Sequence, residues 1–152
     1  MNIRQAKNED ARRISYLIHK NTDANPNDYT IEQIKAWKKY TTPANISKQL
    51  MDRKIFCAFE NGKLIGTIAL KENYILGFYV NPTVRGKGIG SKLLNHLEDY
   101  ASTNGVKKLY LTSTPSAFPF YQNKGYTKKE EVIVTIYDVD FREVEMEKAL
   151  DI

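Results

Sequence analysis

Val80-Asn81-Pro82-Thr83-Val84-Arg85-Gly86-Lys87-Gly88-Ile89-Gly90-Ser91 is the stretch on which the reading of this chain turns. Before it, Tyr74 to Val80 is a short apolar run of strand character. After it, Leu93, Leu94, Leu97, Tyr100 and Ala101 recur at helical spacing until Asn104-Gly105 supplies a stop. Glycines on alternate positions between a strand and a helix let the main chain approach a ligand closely. The helix start adds unpaired N–H groups and a partial positive charge, so a phosphate or diphosphate is the natural occupant, and Arg85 and Lys87 strengthen that field. Two other phosphate loops fit worse. A P-loop needs Ser or Thr after Gly-Lys, but Gly88 follows Lys87. A dinucleotide fingerprint needs glycine where Ser91 stands and an acid about twenty residues on, where Tyr110 and its neighbours are uncharged.

Working outward, strand, helix and strand across 74–112 require a parallel pair joined by a crossover. Upstream, Lys54–Phe59, Leu64–Leu70 and Tyr74–Val80 read as an antiparallel meander with a turn at Glu60-Asn61-Gly62-Lys63. Ahead of that lie a short strand at Ile3–Ala6 and a helix capped by Asn8 that ends before Asn21. A second helix opens on a Thr30/Gln33 capping box with Ile31, Ile34 and Trp37 on one side, and a third starts at Thr42-Pro43. Downstream, a helix over Ser116–Lys124 stops at Gly125, and strands follow at Val132–Ile136 and Arg142–Glu147. No repeat or linker interrupts this order. The expectation is one α/β domain over residues 1–152 built on a mixed sheet.

Composition narrows the function classes. With 152 residues, 41% hydrophobic and 27% charged, the chain suits one globular core and neither disorder nor a fibrous architecture. No apolar run reaches the roughly 20 residues that cross a bilayer, and Met1–Asp10 is polar, so a cytoplasmic location and no membrane partner are expected. The single cysteine, Cys57, excludes an internal disulfide and sits in an apolar run that suits a packing role. His19 and His96 lack metal-ligand spacing, and no metal is expected. The net charge of +5 and ten tyrosines raise nucleic acid as a partner, but the basic residues are interleaved with acidic ones and no recognition motif accompanies them. Nucleic acid is therefore not expected.

Val80 to Ser91 resembles the V-x-P-x-x-[QR]-G-x-G-x-G coenzyme A loop of the GNAT superfamily of N-acetyltransferases. A second signature of that family, A-x-x-[FL]-Y-x-x-x-G-[FY], is matched by Ala117-Phe118-Pro119-Phe120-Tyr121-Gln122-Asn123-Lys124-Gly125-Tyr126, and the order of elements is similar throughout. The resemblance implies a single-domain, mostly antiparallel sheet, splayed at a central parallel strand pair and flanked by helices. It implies acetyl-CoA as co-substrate, with the pantetheine arm along Phe78, Tyr79 and Val80 and the diphosphate on the backbone of Arg85, Gly86, Lys87, Gly88, Ile89, Gly90 and Ser91. Lys87, Lys92 and Lys124 would add attraction for phosphates, and Thr114 holds a cofactor-contact place often filled by Asn in relatives.

The implied reaction is transfer of an acetyl group to a primary amine of a small molecule or peptide, by direct attack in a ternary complex. Tyr121 takes the general-acid position and completes the cofactor-binding set. The strand before the loop carries no carboxylate, which leaves Glu72 or a water relay as base and gives a non-catalytic acyl-CoA-binding or regulatory module as the alternative. The unknown amine acceptor should enter beside the early helices. His19, Asp23, Asp28, Tyr29, Glu32, Trp37 and Tyr40 cluster there in sequence, and a homodimer is compatible with the resemblance.

Overall fold

The computed structural model describes residues 1–151; Ile152, the last residue of the expected domain, lies outside the described residues. Strand β1 (Asn2–Gln5) passes through a 3-10 turn at Asn8–Asp10 into α1 (Ala11–Asp23). Asn8 is not its cap. The buried Asp10 carboxylate instead accepts the Lys7 N–H at 2.7 Å and both prongs of Arg4 at 2.8 and 3.1 Å, and the helix continues past Asn21. Helix α2 (Ile31–Tyr40) opens on the expected reciprocal cap, with Gln33 N–H donating to Thr30 Oγ1 at 3.1 Å and Thr30 N–H to Gln33 Oε1 at 2.9 Å. Helix α3 (Pro43–Gln49) has Thr42 as cap and Pro43 in its first turn, where a missing N–H is harmless. Ile31 departs from the expected apolar face. It sits 73% exposed at the first turn of α2, whose buried residue is Ala36.

Strands β2 (Lys54–Glu60), β3 (Lys63–Lys71) and β4 (Tyr74–Val80) form the antiparallel meander. Its first turn places Asn61 and Gly62 at φ of 53° and 75°, which suits the twist of a tight hairpin. Helix α4 (Ile89–Thr103) crosses to β5 (Lys108–Ser113), which runs parallel to β4, and α5 (Phe118–Asn123) leads into the hairpin β6 (Thr127–Ile136) and β7 (Val139–Ala149). Both last strands are longer than apolar patterning indicates. The first five residues of β6 are exposed on an edge strand, so polar side chains there carry no periodic signal. The sheet order is β1-β2-β3-β4-β5-β7-β6, with β4 and β5 its parallel pair.

The sheet carries a core on each face. On one, Leu93, Leu94, Leu97 and Ala101 of α4 are fully buried against Ile68, Leu109, Leu111 and Met146. Each such leucine contributes about 1.5–3 kcal/mol by burial. On the other, Ile14, Leu17 and Ile18 of α1 and Ile46 of α3 cover Ile55, Cys57 and Ala69. Burial pushes the Cys57 thiol up to about 12, in keeping with a packing role. No helix among the described residues is long and apolar enough to cross a membrane.

Candidate active site

Strands β4 and β5 share one bridge, Tyr74 opposite Tyr110, where Tyr110 N–H donates to Asn73 O at 3.0 Å. Beyond it the two strands part, and the β4 edge at Phe78, Tyr79 and Val80 has no strand partner on that side. A bulge re-aims this edge. Pairing steps from Ala69–Leu76 to Thr67–Tyr79, so Gly77 and Phe78 together face the single residue Ile68, with Gly77 at φ 52°. The extra residue inverts the alternation. Ile75, Phe78 and Val80 pack toward α4, whereas Leu76 and Tyr79 join the cluster under α1. Asn81 N–H donates to Ile65 O of β3 at 2.8 Å, so Val80, one residue earlier, turns its own backbone groups to the opened side. There the Val80 carbonyl accepts from Asn21 Nδ2 of α1 at 2.8 Å.

The glycine loop leaves directly from this edge. Gly86 and Gly88 sit at φ of 84° and 79°, a region glycine enters without steric cost, and no atom lies within 4 Å of a side chain placed on either. Helix α4 follows with no side-chain cap and no acid in its first turn, so its leading N–H groups and dipole are open beside exposed Arg85 and Lys87. Ile89 is buried and anchors the helix start. A Cβ on Gly90 would lie 3.6 Å from Phe120 and 3.7 Å from Phe78, which places the end of the loop against these two aromatic rings.

Helix α5 supplies those rings. Pro119 occupies its second position, where no helical N–H is missed. Thr114 acts as a local brace for this helix. Its carbonyl accepts the N–H groups of Ala117 and Phe118, both at 3.2 Å, and its hydroxyl takes a longer 3.4 Å bond from Ala117. Tyr121 is 8% exposed, with ring centroids 5.4 Å from Phe120, 6.0 Å from Tyr126 and 6.1 Å from Phe78. Burial first, then the charge of Glu143 and the neighbouring Tyr29, holds its phenol well above the ordinary tyrosine range. Lys124 stands 5.7 Å over the Phe120 ring, while Lys92 is exposed on α4.

Across the gap lies the face of α1 and α2. Trp37 lies 5.5 Å from Tyr40 and 6.0 Å from Phe141 of β7, and Tyr29 lies 6.1 Å from the same Phe141, making an aromatic wall. The acids named from sequence face outward. Asp23 pairs with Lys38 at 2.7 Å, Asp28 accepts from the Ser116 hydroxyl at 2.8 Å, and Glu32 is exposed. His19 bonds the Thr41 hydroxyl at 3.0 Å, and burial, helped by Lys38, lowers its pKa. Glu143 of β7 is half-buried on the same strand face as Phe141. Burial raises its pKa against an opposing effect of nearby Thr112, and its charge helps raise the phenols of Tyr29, Tyr79 and Tyr121. Tyr29 is pushed up to about 12 chiefly by burial, with Glu143 and Asp28 adding to it. Tyr121, through its ring contact with Phe78 of β4, and Glu143, set beside the end of β5 by the β7 register, thus flank the split in the sheet.

A family profile for the acetyltransferase (GNAT) domain matches residues 25–150. The chain belongs to the GNAT family of acetyltransferases. An N-acetyltransferase of Bacillus subtilis, itself uncharacterized, is 32% identical over 139 residues, covering 83% of this chain and 89% of the relative. A GCN5-related N-acetyltransferase from Rhodopseudomonas palustris superposes with a TM-score of 0.92 at 26% identity, over 98% of this chain and 95% of the other. The PaiA N-acetyltransferase from Thermoplasma acidophilum, solved in complex with coenzyme A, shares the fold at a TM-score of 0.83 and 23% identity, over 97% and 98% of the two chains. The GNAT fold, with its mixed sheet and parallel β4–β5 pair, and the acetyl-transfer chemistry of the family follow for this chain.

Within this GNAT domain, Phe78, Val80, Gly90 and Tyr121 are neighbours through the Phe120 and Phe78 rings and Arg85 to Ser91 continue from the same strand edge, whereas Glu72 lies apart from them. It lies in the exposed turn between β3 and β4, at the opposite end of a seven-residue strand from the loop, roughly 20 Å away at 3.3 Å per residue. Two features escaped sequence reasoning. Gly77 inside a strand pattern is a recognised sign of a bulge, so that signal was present. Glu143 had only the alternation Phe141, Glu143, Glu145, Glu147 along an expected strand, which does not single out one acid.

Proposed function

We propose that this chain transfers an acetyl group from acetyl-CoA to a primary amine, by direct attack while both are held at the split between β4 and β5. The observation that carries this reading is the continuity of three features: an unpaired strand edge at 78–80, left-handed glycines at 86 and 88, and an uncapped α4. These suit an extended arm with amides followed by a diphosphate. Phe78, Val80, Gly90 and Phe120 would hold the arm's apolar side, and the open N–H groups of residues 86–91 would hold the charge. Much of the acceleration would come from fixing amine and thioester in reacting geometry.

A backbone N–H on the β4 edge would stabilise the developing oxyanion, and Tyr121 would donate its proton toward the departing sulfur. A phenol raised above 10 is a weaker acid than a thiol of about 8.5, so a strengthening hydrogen bond would carry part of that task. Thr114 is proposed as a lesser contact, since its polar groups already brace α5. The test is calorimetric titration with acetyl-CoA, then thiol release with a panel of primary amines. Binding with amine-dependent release supports the reading. No binding, or binding without release for any amine, removes it in favour of another ligand or of a non-catalytic module.

A further inference from the structure

Three glutamates share one face of β7, and two of them have cations. Glu145 pairs with Lys129 at 3.1 Å and Glu147 with Lys108 at 3.4 Å. Among the described residues Glu143 has no ion-pair partner, and the β7 register, with Val144 opposite Ser113, sets Glu143 beside the end of β5 where β4 and β5 have parted. Its charge, after burial, helps hold the phenols of Tyr29 from the loop before α2, Tyr79 of β4 and Tyr121 of α5 above the ordinary tyrosine range. Glu143 is half-buried, and a partly desolvated carboxylate is stabilised by a cation brought to it. The aromatic wall of Tyr29, Trp37 and Phe141 next to it suits an apolar body and also attracts a cation.

Resting on the acetyl-transfer reading above, we propose that Glu143 receives the ammonium of the acceptor and takes its proton, selecting a cationic primary amine carried on an apolar body. The ammonium passes one proton to Glu143 and becomes a free amine. Its lone pair forms the C–N bond to the acetyl carbonyl, and the C–S bond breaks. The sulfur leaves with the Tyr121 proton, and the Tyr121 oxygen recovers a proton from the acylated nitrogen. Glu143 then releases its proton to water, so each turnover yields amide, thiol and one proton. The facing phenols remain protonated near neutral pH, and His19, whose pKa is lowered toward the same acid range, is bonded to Thr41, so the acid limb assigned to Glu143 is the one that Glu143→Gln removes.

Trp37, the chain's one tryptophan, reports on this wall. Its fluorescence is titrated with 2-phenylethylammonium and with its neutral isostere 2-phenylethanol, in wild type and in Glu143→Gln, which keeps the size of the side chain. In wild type the ammonium should bind at least about tenfold tighter than the alcohol, with the preference shrinking to within about twofold in the variant. In wild type alone the preference should also fade on acidification, which keeps the test independent of how the variant folds. A preference that survives Glu143→Gln, is absent from wild type, or ignores pH overturns the proposal. Acetyl-CoA titration of both proteins separates the two levels: loss of donor binding in wild type defeats the acetyl-transfer reading, whereas intact donor binding with no ammonium preference defeats only the role of Glu143.

Discussion

Replacing Tyr121 by phenylalanine removes one oxygen and leaves the ring in place. The ring packs edge-on against Phe120 at 5.4 Å and Tyr126 at 6.0 Å and lies tilted against Phe78 at 6.1 Å, and none of these contacts uses the hydroxyl. Stability should therefore change by no more than about 1 kcal/mol. Donor affinity, set by main-chain groups at 78–80 and 86–91 on this reading, should change less than about threefold. Turnover is different. A positioned acid contributes about 10²–10⁴-fold, or roughly 2.7–5.4 kcal/mol of barrier. Because the Tyr121 phenol is raised above 10 by burial, Glu143 and Tyr29, it is a poor full donor, and the expected loss lies near the lower bound, about 100-fold in kcat. The assay is thiol release at saturating acetyl-CoA with the amine varied, run beside calorimetry. A kcat within about fivefold of wild type refutes the acid role, and an equal loss in donor affinity assigns Tyr121 to binding. The raised phenol also forbids Tyr121 from causing any fall in wild-type kcat between about pH 7 and 9.5, which the pH profile checks directly.

Gly88→Asp forces a side chain onto a φ of 79° and sets a carboxylate where the diphosphate is proposed, so acetyl-CoA affinity should fall at least about tenfold by calorimetry; unchanged affinity would move the donor elsewhere. Gly66→Ala places a Cβ 2.7 Å from Leu93 Cδ1 and 3.3 Å from the Tyr79 carbonyl, and should cost about 1–3 kcal/mol in urea unfolding, with a loss below about 0.5 kcal/mol showing that α4 can shift freely. Asp10→Asn breaks the Arg4 pair beneath α1 and should cost about 2 kcal/mol at neutral pH. The Arg4 bond holds the Asp10 pKa below its ordinary 3.8, so that contribution is complete above 3.8 and disappears as pH falls through the lower folded value; a cost that persists in strong acid would contradict the assignment.

Local chemistry was legible and long-range geometry was not. The Thr30/Gln33 box, the Thr42-Pro43 start and the strand–glycine–helix passage at 74–103 each depend on residues a few positions apart, and each stands where sequence placed it. The cap of the first helix was misread because the residue that settles it, Arg4, reaches Asp10 from a strand. The edge strand β6 hid half its length because exposed residues owe no periodicity to a core. The proposed donor side was readable because it belongs almost entirely to one stretch, 78–91. The proposed acceptor side draws on Tyr29, Trp37, Tyr79, Phe141 and Glu143, which only the completed sheet brings together.

The bulge at Gly77 joins those two halves. In a regular strand Phe78 would follow Leu76 to the α1 side, and Tyr79 would turn toward α4. Phe78 would then leave the rings of Phe120 and Tyr121, and the end of the glycine loop at Gly90 would lose the surface it meets. Tyr79 would equally leave the cluster under α1. On the proposed reading, one inserted residue therefore gives β4 a donor face and an acceptor face on consecutive side chains, at the place where the parting of β5 exposes its backbone edge. Sequence in that strand is constrained at 77 by the need for φ 52°, at 78 by the cleft and at 79 by the acceptor wall, so a β-branched residue at 77 should disable both halves together rather than either alone. Acetyl-CoA titration and the Trp37 response to 2-phenylethylammonium, measured on Gly77→Val, read the two halves separately. Loss of only one signal would show that the bulge serves that half and that the other is positioned without it.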